Sequence, residues 1–516
     1  LNAGGPVVYG GFVPRAREPS SRSEGRGLAA ETSPTPAGPL EPANDAAEVE
    51  SLARVEEDAA ATAMEPETDD DILRASIPPP LPTPPAEGPW RSYKEKVALY
   101  ADRVLRAQAP IRVLNALKWE SASWESFRRS RFRELPRVDA ESYARVDLGF
   151  DPTARARDFQ SIADDVRREL GADDALARIL RATCLEYRDV CRMLLQRGTP
   201  GFYGYSRRLY GSPKDTLPDG QTTVRDIAHS LYALLTSLDE AALGPPEART
   251  LDGAQVVEIL RERFADFFGE EAVNVSLDDG IFSDAAAGSD YVKIRGSARF
   301  SLYDVNILEA HEGWVHVATS LNGARQHVAR WLAKGPPRTT VVQEGLAALV
   351  EVITLRSHPR RARRLNDRVI AIDKAEDGAD FLEVFEWHRT EGYEEEECYN
   401  AARRVFRGGT VTGGAPFTKD LAYTKGLVTN YHFIRAAIRA CRPELVRALF
   451  VGKVAHEDVP VLHTRMSDGV VRPPRFLPEV FHDLNGLSIW MAYSSFFSQM
   501  AVPALDDYYE QMFRGG

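Results

Sequence analysis

Apolar residues recur at helical spacing through most of the chain after residue 90. From Tyr93 to Trp119 they fall three or four positions apart, as at Val97, Tyr100 and Val104. The same period recurs at about 157–170, 174–195, 223–240 and 252–268. Such a period is typical of amphipathic helices that bury one face. We therefore expect residues 89–268 to be mostly helical.

The period changes to two near residue 273. Segments 273–277, 291–295 and 298–302 alternate apolar and polar residues, and a loop rich in Asp, Ala and Gly separates the first two. This pattern predicts a short antiparallel sheet. Another apolar helical pattern begins at Leu308 directly after it. An edge strand beside that helix could hold an extended peptide by β-augmentation.

Further helices are predicted from Gln343 onward, at 367–387 and through the C-terminal third, with Pro and Gly at their breaks. The basic run 360–364 and the acidic run 394–397 are most simply solvated faces. The fold class is therefore α+β, with many helices and one small antiparallel sheet.

Composition separates the first 88 residues from the rest. They hold 14 of the 33 prolines, and with 16 acidic and 6 basic residues they carry 10 of the 12 net negative charges. Few of them are aromatic, so they cannot bury enough apolar surface to order themselves. We predict a disordered acidic Pro/Ala-rich tail at 1–88, a mostly helical part at 89–268 and a catalytic part with C-terminal helices at 269–516.

Charge and cysteine usage narrow the class of protein. Without the tail the chain is close to neutral, and the basic-aromatic stretch 127–133 sits in no recognised nucleic-acid module, so we expect no nucleic-acid partner. No apolar run approaches the roughly 20 residues that span a bilayer, and the first residues lack the basic start, apolar stretch and small-residue site of a secretory signal. The four cysteines form no CxxC pair. These features predict a cytoplasmic protein with reduced thiols and no membrane partner.

The apolar helix at 308–318 carries the candidate chemistry. His311, Glu312 and His316 stand on it as His-Glu-x-x-x-His. Histidines can bind zinc, and a glutamate beside the first histidine can act as a base in hydrolysis. Residues five apart point about 140° away from each other on an ideal α-helix. We therefore predict that the helix bulges as a π-type turn or ends near Gly313–His316, a distortion that glycine makes cheaper.

A third ligand is available in Glu344, which opens an apolar helix 28 residues after His316. Two histidines and one carboxylate leave one tetrahedral position open, as in catalytic zinc sites. The alternative interpretation is a pair of core histidines without a metal.

The ordered motifs resemble the microtubule-associated tyrosine carboxypeptidase family, whose bacterial members are called flavohaemoglobin expression-modulating QEGLA-motif proteins. The resemblance covers roughly residue 90 to the C-terminus and rests on the following motifs: His311–His316, Asn322-Gly323 with Gln326, Gln343–Ala347, Arg404–Gly409, Phe417–Asp420 with Tyr423 and Gly426, and Gly452-Lys453. His-Glu-x-x-x-His is this family's own pattern.

The resemblance implies a zincin-like core with one zinc ion on His311, His316 and Glu344. It also implies Glu312 as the catalytic glutamate. Members that act on tubulin remove a C-terminal tyrosine. The loops here are those of the bacterial branch, so the tubulin substrate does not carry over.

Three cations and a tyrosine complete the candidate active site. Arg404, Arg407 and Lys419 are candidates for binding a substrate's terminal carboxylate, or else they form salt bridges that hold the glycine-rich loop. Tyr423 is a candidate hydrogen-bond donor to the oxyanion, or a core tyrosine with a satisfied hydroxyl.

Three amides near the motifs are further candidates. We expect Gln343 to orient a metal ligand. Asn322 and Gln326 line the substrate cleft, or they cap the turn after the histidine helix.

The sequence thus predicts a zinc metallocarboxypeptidase acting on the C-terminus of a peptide or protein. One rival is a non-enzymatic regulatory protein that binds a peptide. Another is a hydrolase of a different amide, such as a cell-wall peptide or an amino-acid conjugate.

Overall fold

The computed structural model describes residues 87–514 apart from positions 121, 239–241, 244–246, 270, 272, 282 and 501–502. These residues all belong to one compact unit, residues 75–516. The predicted tail lies outside them except for its last two positions, which belong to the first helix.

The N-terminal part is helical, and the helices predicted at 157–170, 174–195, 223–240 and 252–268 are confirmed. In chain order the helices are α1 (Glu87–Gln108), α2 (Val113–Ala116), α3 (Ala122–Arg129), α4 (Ala140–Ala144), α5 (Pro152–Leu170), α6 (Ala175–Leu195), α7 (Gly201–Tyr210), α8 (Val224–Thr236) and α9 (Gly253–Phe268). Local sequence sets their ends. Asp151 caps α5 by accepting hydrogen bonds from the amides of Thr153 and Ala154, and Gly171 ends that helix at a φ of 96°.

Five short strands form two small sheets. They are β1 (Leu251–Asp252), β2 (Asn274–Leu277), β3 (Ala285–Ala287), β4 (Tyr291–Ile294) and β5 (Arg299–Phe300). The order in the larger sheet is β2-β4-β3, while β1 and β5 pair separately.

The sheet was predicted to be antiparallel throughout, and this is wrong for one of its two strand pairs. β2 and β4 run parallel, with Val275 opposite Val292, and β3 lies antiparallel to β4 in the stretch predicted as a loop. The third predicted strand shortens to β5 and pairs with β1, which precedes α9. Alternation of apolar and polar residues reports that a strand has one buried face and does not encode the direction of its neighbour. The α+β class is confirmed by the mostly helical chain with its small sheets.

The remaining chain is helical. It contains α10 (Leu302–Leu308), a π-helix (Glu309–Val317), α11 (Ala318–Ala324), α12 (Thr339–Ile353), α13 (Pro359–Glu376), α14 (Phe381–Thr390), α15 (Glu395–Phe406), α16 (Ala422–Arg439), α17 (Glu444–Ala448), α18 (Val459–Ser467), α19 (Glu479–His482), α20 (Leu484–Gln499) and α21 (Pro503–Arg514). Short 3₁₀ turns lie at Arg330–Ala333, Thr418–Leu421 and His456–Asp458. No helix in the described part of the chain is long and apolar enough to cross a bilayer.

Helices α12 and α16 cross at two glycines. A Cβ added to Gly345 would fall on the backbone of Gly426, and one added to Gly426 would fall on the carbonyl of Val341. The two backbones therefore touch, as they can only where neither residue has a side chain. This contact sets how closely α12, which carries Glu344, approaches α16, which carries Tyr423.

We expect Gly345→Ala to lower the free energy of unfolding by about 1–3 kcal/mol or more, because the added methyl must push two helices apart. Thermal unfolding followed by circular dichroism measures this. Gly204→Ala on the exposed face of α7 is the matched control, since nothing lies within 4 Å of its added Cβ. It should leave the melting temperature unchanged or raise it. Equal melting temperatures for the two variants would contradict the tight crossing.

Candidate metal centre

The helix that carries the two histidines is a π-helix over Glu309–Val317. Its hydrogen bonds run from residue i to i+5, so residues five apart share a face. The rings of His311 and His316 accordingly lie close together, with centroids 4.9 Å apart and planes at 81°. The local widening predicted from the histidine spacing is confirmed.

Ion pairs from outside the helix hold the start of the π-helix. The Glu309 carboxylate is buried and accepts hydrogen bonds from Arg263 at 2.8 Å and Arg356 at 2.6 Å. Gly313 serves close packing, because a Cβ there would overlap the ring of Phe264 on α9. The φ of Gly313 is outside the left-handed region, so the π-helix does not use the backbone freedom that we expected glycine to supply. Packing against Phe264 is the reason that this position lacks a side chain.

Three ligand atoms converge beside this helix. Oε2 of Glu344 lies 3.7 Å from Nε2 of His311 and 3.6 Å from Nε2 of His316. All three atoms lie within 4.8 Å of one another, and no other such group is found in the described chain. Tetrahedral zinc with ligands at about 2.0–2.2 Å separates its ligand atoms by about 3.4 Å. The set therefore fits one zinc ion, with little movement needed.

Glu344 is held ionised and oriented for this position. Burial opposes its charge, but Lys419 and the two histidines outweigh burial and hold the pKa of the Glu344 carboxyl well below its usual range. The Lys419 ammonium donates to Oε1 of Glu344 at 3.0 Å. Because this bond occupies one oxygen, Oε2 is the oxygen presented to His311 and His316.

The partner of His311 was not predicted from the sequence. Nδ1 of His311 lies 2.6 Å from the carboxylate of Glu351, a residue of α12 that is fully buried. Arg361 of α13 donates to both oxygens of Glu351, at 2.8 and 3.1 Å. A carboxylate on the distal nitrogen fixes the tautomer and orientation of a metal-binding histidine.

A sequence signal for this contact exists, because Glu351 stands seven residues, or two helical turns, after Glu344 on one apolar helix. The solvated face predicted for 360–364 is wrong for Arg361, which points inward to Glu351. Arg360 and Arg364 are partly exposed and form ion pairs with Glu397 of the acidic run.

His316 is positioned by a neutral amide. The Gln343 side-chain oxygen lies 3.5 Å from Nδ1 of His316 and accepts hydrogen bonds from Thr319 at 2.9 Å and Lys453 at 2.6 Å. The Lys453 ammonium also donates to the backbone carbonyl of His316 at 2.9 Å. Burial lowers the pKa of Lys453 to about 7. Gln343 thus contacts His316 on one side and Lys453 of the Gly-Lys motif on the other.

Glu312 lies between the metal ligands and the small sheet. Its Oε2 accepts a hydrogen bond from the amide of Ala287 at 3.1 Å. Ala287 belongs to β3, which is an edge strand of its sheet. The edge strand expected beside the histidine helix is therefore present. Two of its outward-facing groups already have partners, because Ser283 donates to the carbonyl of Ala285 and the amide of Ala287 donates to Glu312.

The ring of Tyr423 contacts both His311 and Arg368. Its ring is stacked 6.3 Å from that of His311, and the Arg368 guanidinium sits 4.4 Å from its centroid. Burial and the nearby Glu344 charge raise the pKa of Tyr423, so its hydroxyl stays protonated. Both roles expected for Tyr423, as an oxyanion donor and as a core tyrosine, stay predictions.

Half-buried cations outnumber their carboxylate partners next to Tyr423. Arg404 donates to Asp420 at 2.7 Å, and Lys419 is occupied by Glu344. Arg407 lies against the ring of Phe417, and its buried Nε has no partner among the described residues. Burial and, next, the Arg404 charge lower the pKa of Arg407 to about 10. Arg404 and Lys419 thus form the predicted salt bridges, and their substrate-binding role stays a prediction.

Arg368 of α13 is a cation that sequence reasoning missed. Its Nη1 is buried without a partner in the described chain, and burial followed by the Arg404 charge lowers its pKa. An unpaired buried guanidinium is costly, so its natural complement is an anion that arrives from outside. The sequence shows Arg368 only as one basic residue of an amphipathic helix, ten residues before Gly378.

Asn322 and Gln326 lie in structural contacts. The Asn322 amide donates to the carbonyls of Phe450 and Phe476 at 2.8 and 2.7 Å, and Gln326 donates to those of Val451 and Arg472 at 3.0 Å. Both side chains tie the end of α11 to two C-terminal segments. Their predicted role in substrate binding stays a prediction.

Comparison with known proteins finds one matching family. A family model described as microtubule-associated tyrosine carboxypeptidase matches residues 125–499, which is most of the chain. No curated protein matches.

We expect Glu351→Gln to weaken zinc binding by about 10- to 100-fold, the usual cost of losing a carboxylate behind a metal-binding histidine. Competition with a chromophoric chelator measures the affinity. The control is Glu258→Gln, a change at a largely exposed carboxylate on α9. Circular dichroism confirms folding of both variants. An affinity equal to that of the control would show that Glu351 does not support His311.

Proposed function

Since the chain belongs to the microtubule-associated tyrosine carboxypeptidase family, we propose that it is a zinc-dependent carboxypeptidase that removes C-terminal residues from a peptide or protein. The observation that carries this proposal is the convergence of His311, His316 and Glu344 within 4.8 Å beside Glu312. Two histidines and a carboxylate with a neighbouring glutamate are the donor set of a hydrolytic zinc site.

His311, His316 and Glu344 would hold the zinc ion. Bound zinc supplies Lewis acidity, which polarises a carbonyl and acidifies water. The surrounding residues keep the three ligands ready. Glu351 fixes the tautomer of His311, Gln343 lies against His316, and Lys419 leaves one oxygen of Glu344 to face the ion.

Glu312 is the proton carrier in this proposal. The amide of Ala287 anchors one carboxylate oxygen, which fixes the plane of the carboxylate. The carboxylate can then take a proton from the attacking water and deliver it to the leaving amine nitrogen. Such a positioned acid–base group contributes about 10²- to 10⁴-fold in rate.

Tyr423 supplies a hydrogen-bond donor to the scissile carbonyl oxygen as negative charge develops there. Its hydroxyl is protonated and lies in a buried site, where such a donor is worth more than in water. Stacking on His311 and contact with Arg368 hold the ring in place.

The cations beside Tyr423 would receive the terminal carboxylate. Arg368 is the best placed, because its Nη1 is buried without a partner while Arg404 and Lys419 already bind carboxylates. An arginine can bind a carboxylate through two parallel hydrogen bonds, and each charged hydrogen bond is worth about 1.5–3 kcal/mol. The same contact rejects internal peptide bonds, which offer no carboxylate at that position.

We expect Glu312→Gln to keep zinc and to lose hydrolysis by about 10²- to 10⁴-fold, since the amide cannot carry the proton. Wild type and variant are incubated with a peptide library, and products are identified by mass. Wild type should release single C-terminal residues. The exposed Glu258→Gln serves as a control that keeps activity. Identical product spectra for wild type and Glu312→Gln would leave a peptide-binding protein as the better explanation.

Arg368→Met should change selectivity as well as rate. We expect kcat/KM for a peptide with a free C-terminal carboxylate to fall by about 10- to 150-fold, the loss of one charged hydrogen bond. Hydrolysis of the matching C-terminal amide should be nearly unaffected, so the preference for acid over amide shrinks. Parallel kinetics on the two peptides measure this ratio. An unchanged ratio would assign carboxylate recognition to another cation.

A further inference from the structure

Exposed apolar side chains are concentrated at the C-terminal end of the described chain. The described chain has 23 exposed large apolar side chains, and 11 of them lie between residues 489 and 513. A monomer usually shows apolar patches of only a few hundred Å². The uneven distribution therefore singles out α20 and α21.

Helix α20 has two apolar sides, of which the fold covers one. Leu487 and Met491 are buried, and Tyr431 of α16 forms a hydrogen bond with Ser494 at 3.0 Å. The opposite side presents a stripe of large side chains: Ile489, Tyr493, Phe496, Phe497 and Met500. Phe497 is 66% exposed, which is far more than a helix that only borders a core requires.

Helix α21 carries a similar stripe. Its exposed members recur at helical spacing: Leu505, Tyr508, Tyr509, Met512 and Phe513. Spacings of three and four along one helix create a continuous apolar face. Phe513 is 71% exposed. Ring contacts on this face join residues of α21 only, such as Tyr509 with Phe513.

The two stripes are large enough for a stable interface. Large aromatic side chains bury about 150–250 Å² each, so ten half-exposed side chains offer on the order of 1,000 Å². A standard protein–protein interface takes about 800 Å² from each partner. Aromatic residues and Met are also the residue types that such interfaces enrich.

Charge argues against a lipid surface as the occupant. Residues 484–514 include three acidic residues and one basic residue. A helix that lies on an anionic membrane has a basic polar face instead. A second copy of the chain brings two matching stripes, and four such helices can enclose an apolar core around a two-fold axis.

We propose that residues 484–514 form the interface of a homodimer, in which the α20 and α21 stripes of one copy pack against those of the other. The interface lies outside the metal centre and does not depend on zinc or on hydrolysis. The chain thus acts as a pair, with one metal centre in each copy.

Light scattering coupled to gel filtration tests this on the full chain at micromolar concentrations. Wild type should elute with twice the 57.3 kDa of one chain. Phe497→Glu combined with Phe513→Glu should elute as one chain, because it places a charge in each stripe. Leu99→Glu with Leu234→Glu, two exposed leucines on α1 and α8, should keep the doubled mass.

Circular dichroism and zinc content establish that all proteins are folded. A wild-type mass of one chain, or a doubled mass retained by the Phe497→Glu, Phe513→Glu protein, would overturn the proposal. So would loss of the doubled mass in the control pair. Sedimentation with phosphatidylcholine–phosphatidylserine vesicles by wild type alone would assign the surface to a membrane and also overturn it.

Discussion

Hydrogen bonding from residue i to i+5 in the helix Glu309–Val317 is the constraint on which the candidate metal centre depends. An α-helix would send two side chains five residues apart about 140° from each other. The wider turn instead brings the His311 and His316 rings to 4.9 Å. The neighbours of the helix hold this rarer geometry. Two arginines bind Glu309 at its start, and Phe264 packs where Gly313 has no side chain.

Each candidate metal ligand is held by residues of another element. His311 rests on Glu351 and Arg361, His316 lies against Gln343 with Lys453 behind it, and Glu344 is tied to Lys419. These partners come from α12, α13, the loop before residue 456 and a 3₁₀ turn. The centre is therefore assembled only when the tertiary fold is complete. Ion pairs compensate the buried charges of Glu344 and Glu351, each of which lies within hydrogen-bond distance of a cation.

Much of this architecture could be predicted from the sequence, because helical period, histidine spacing and the position of Glu344 are local features. The histidine spacing predicted either a π-type turn or the end of the helix, since no regular α-helix lets His311 and His316 meet, and the structure has the π-helix. Contacts that depend on the third dimension were missed. Arg361 looks solvated within a basic run, yet it faces a buried carboxylate. The parallel pairing of β2 and β4 was also missed, because alternation carries no information on direction. The domain boundaries and the site residues' catalytic roles stay predictions.

The glycine crossing of α12 and α16 limits how the protein can move. Gly345 and Gly426 leave no space between the two backbones, so the helices can neither slide nor separate without losing that contact. Glu344 precedes one glycine by a single residue, and Tyr423 precedes the other by three. The contact between the two helices therefore fixes the distance between Glu344 and Tyr423. Movement beside the candidate site is easier at β3, which has only three residues and a single ladder partner.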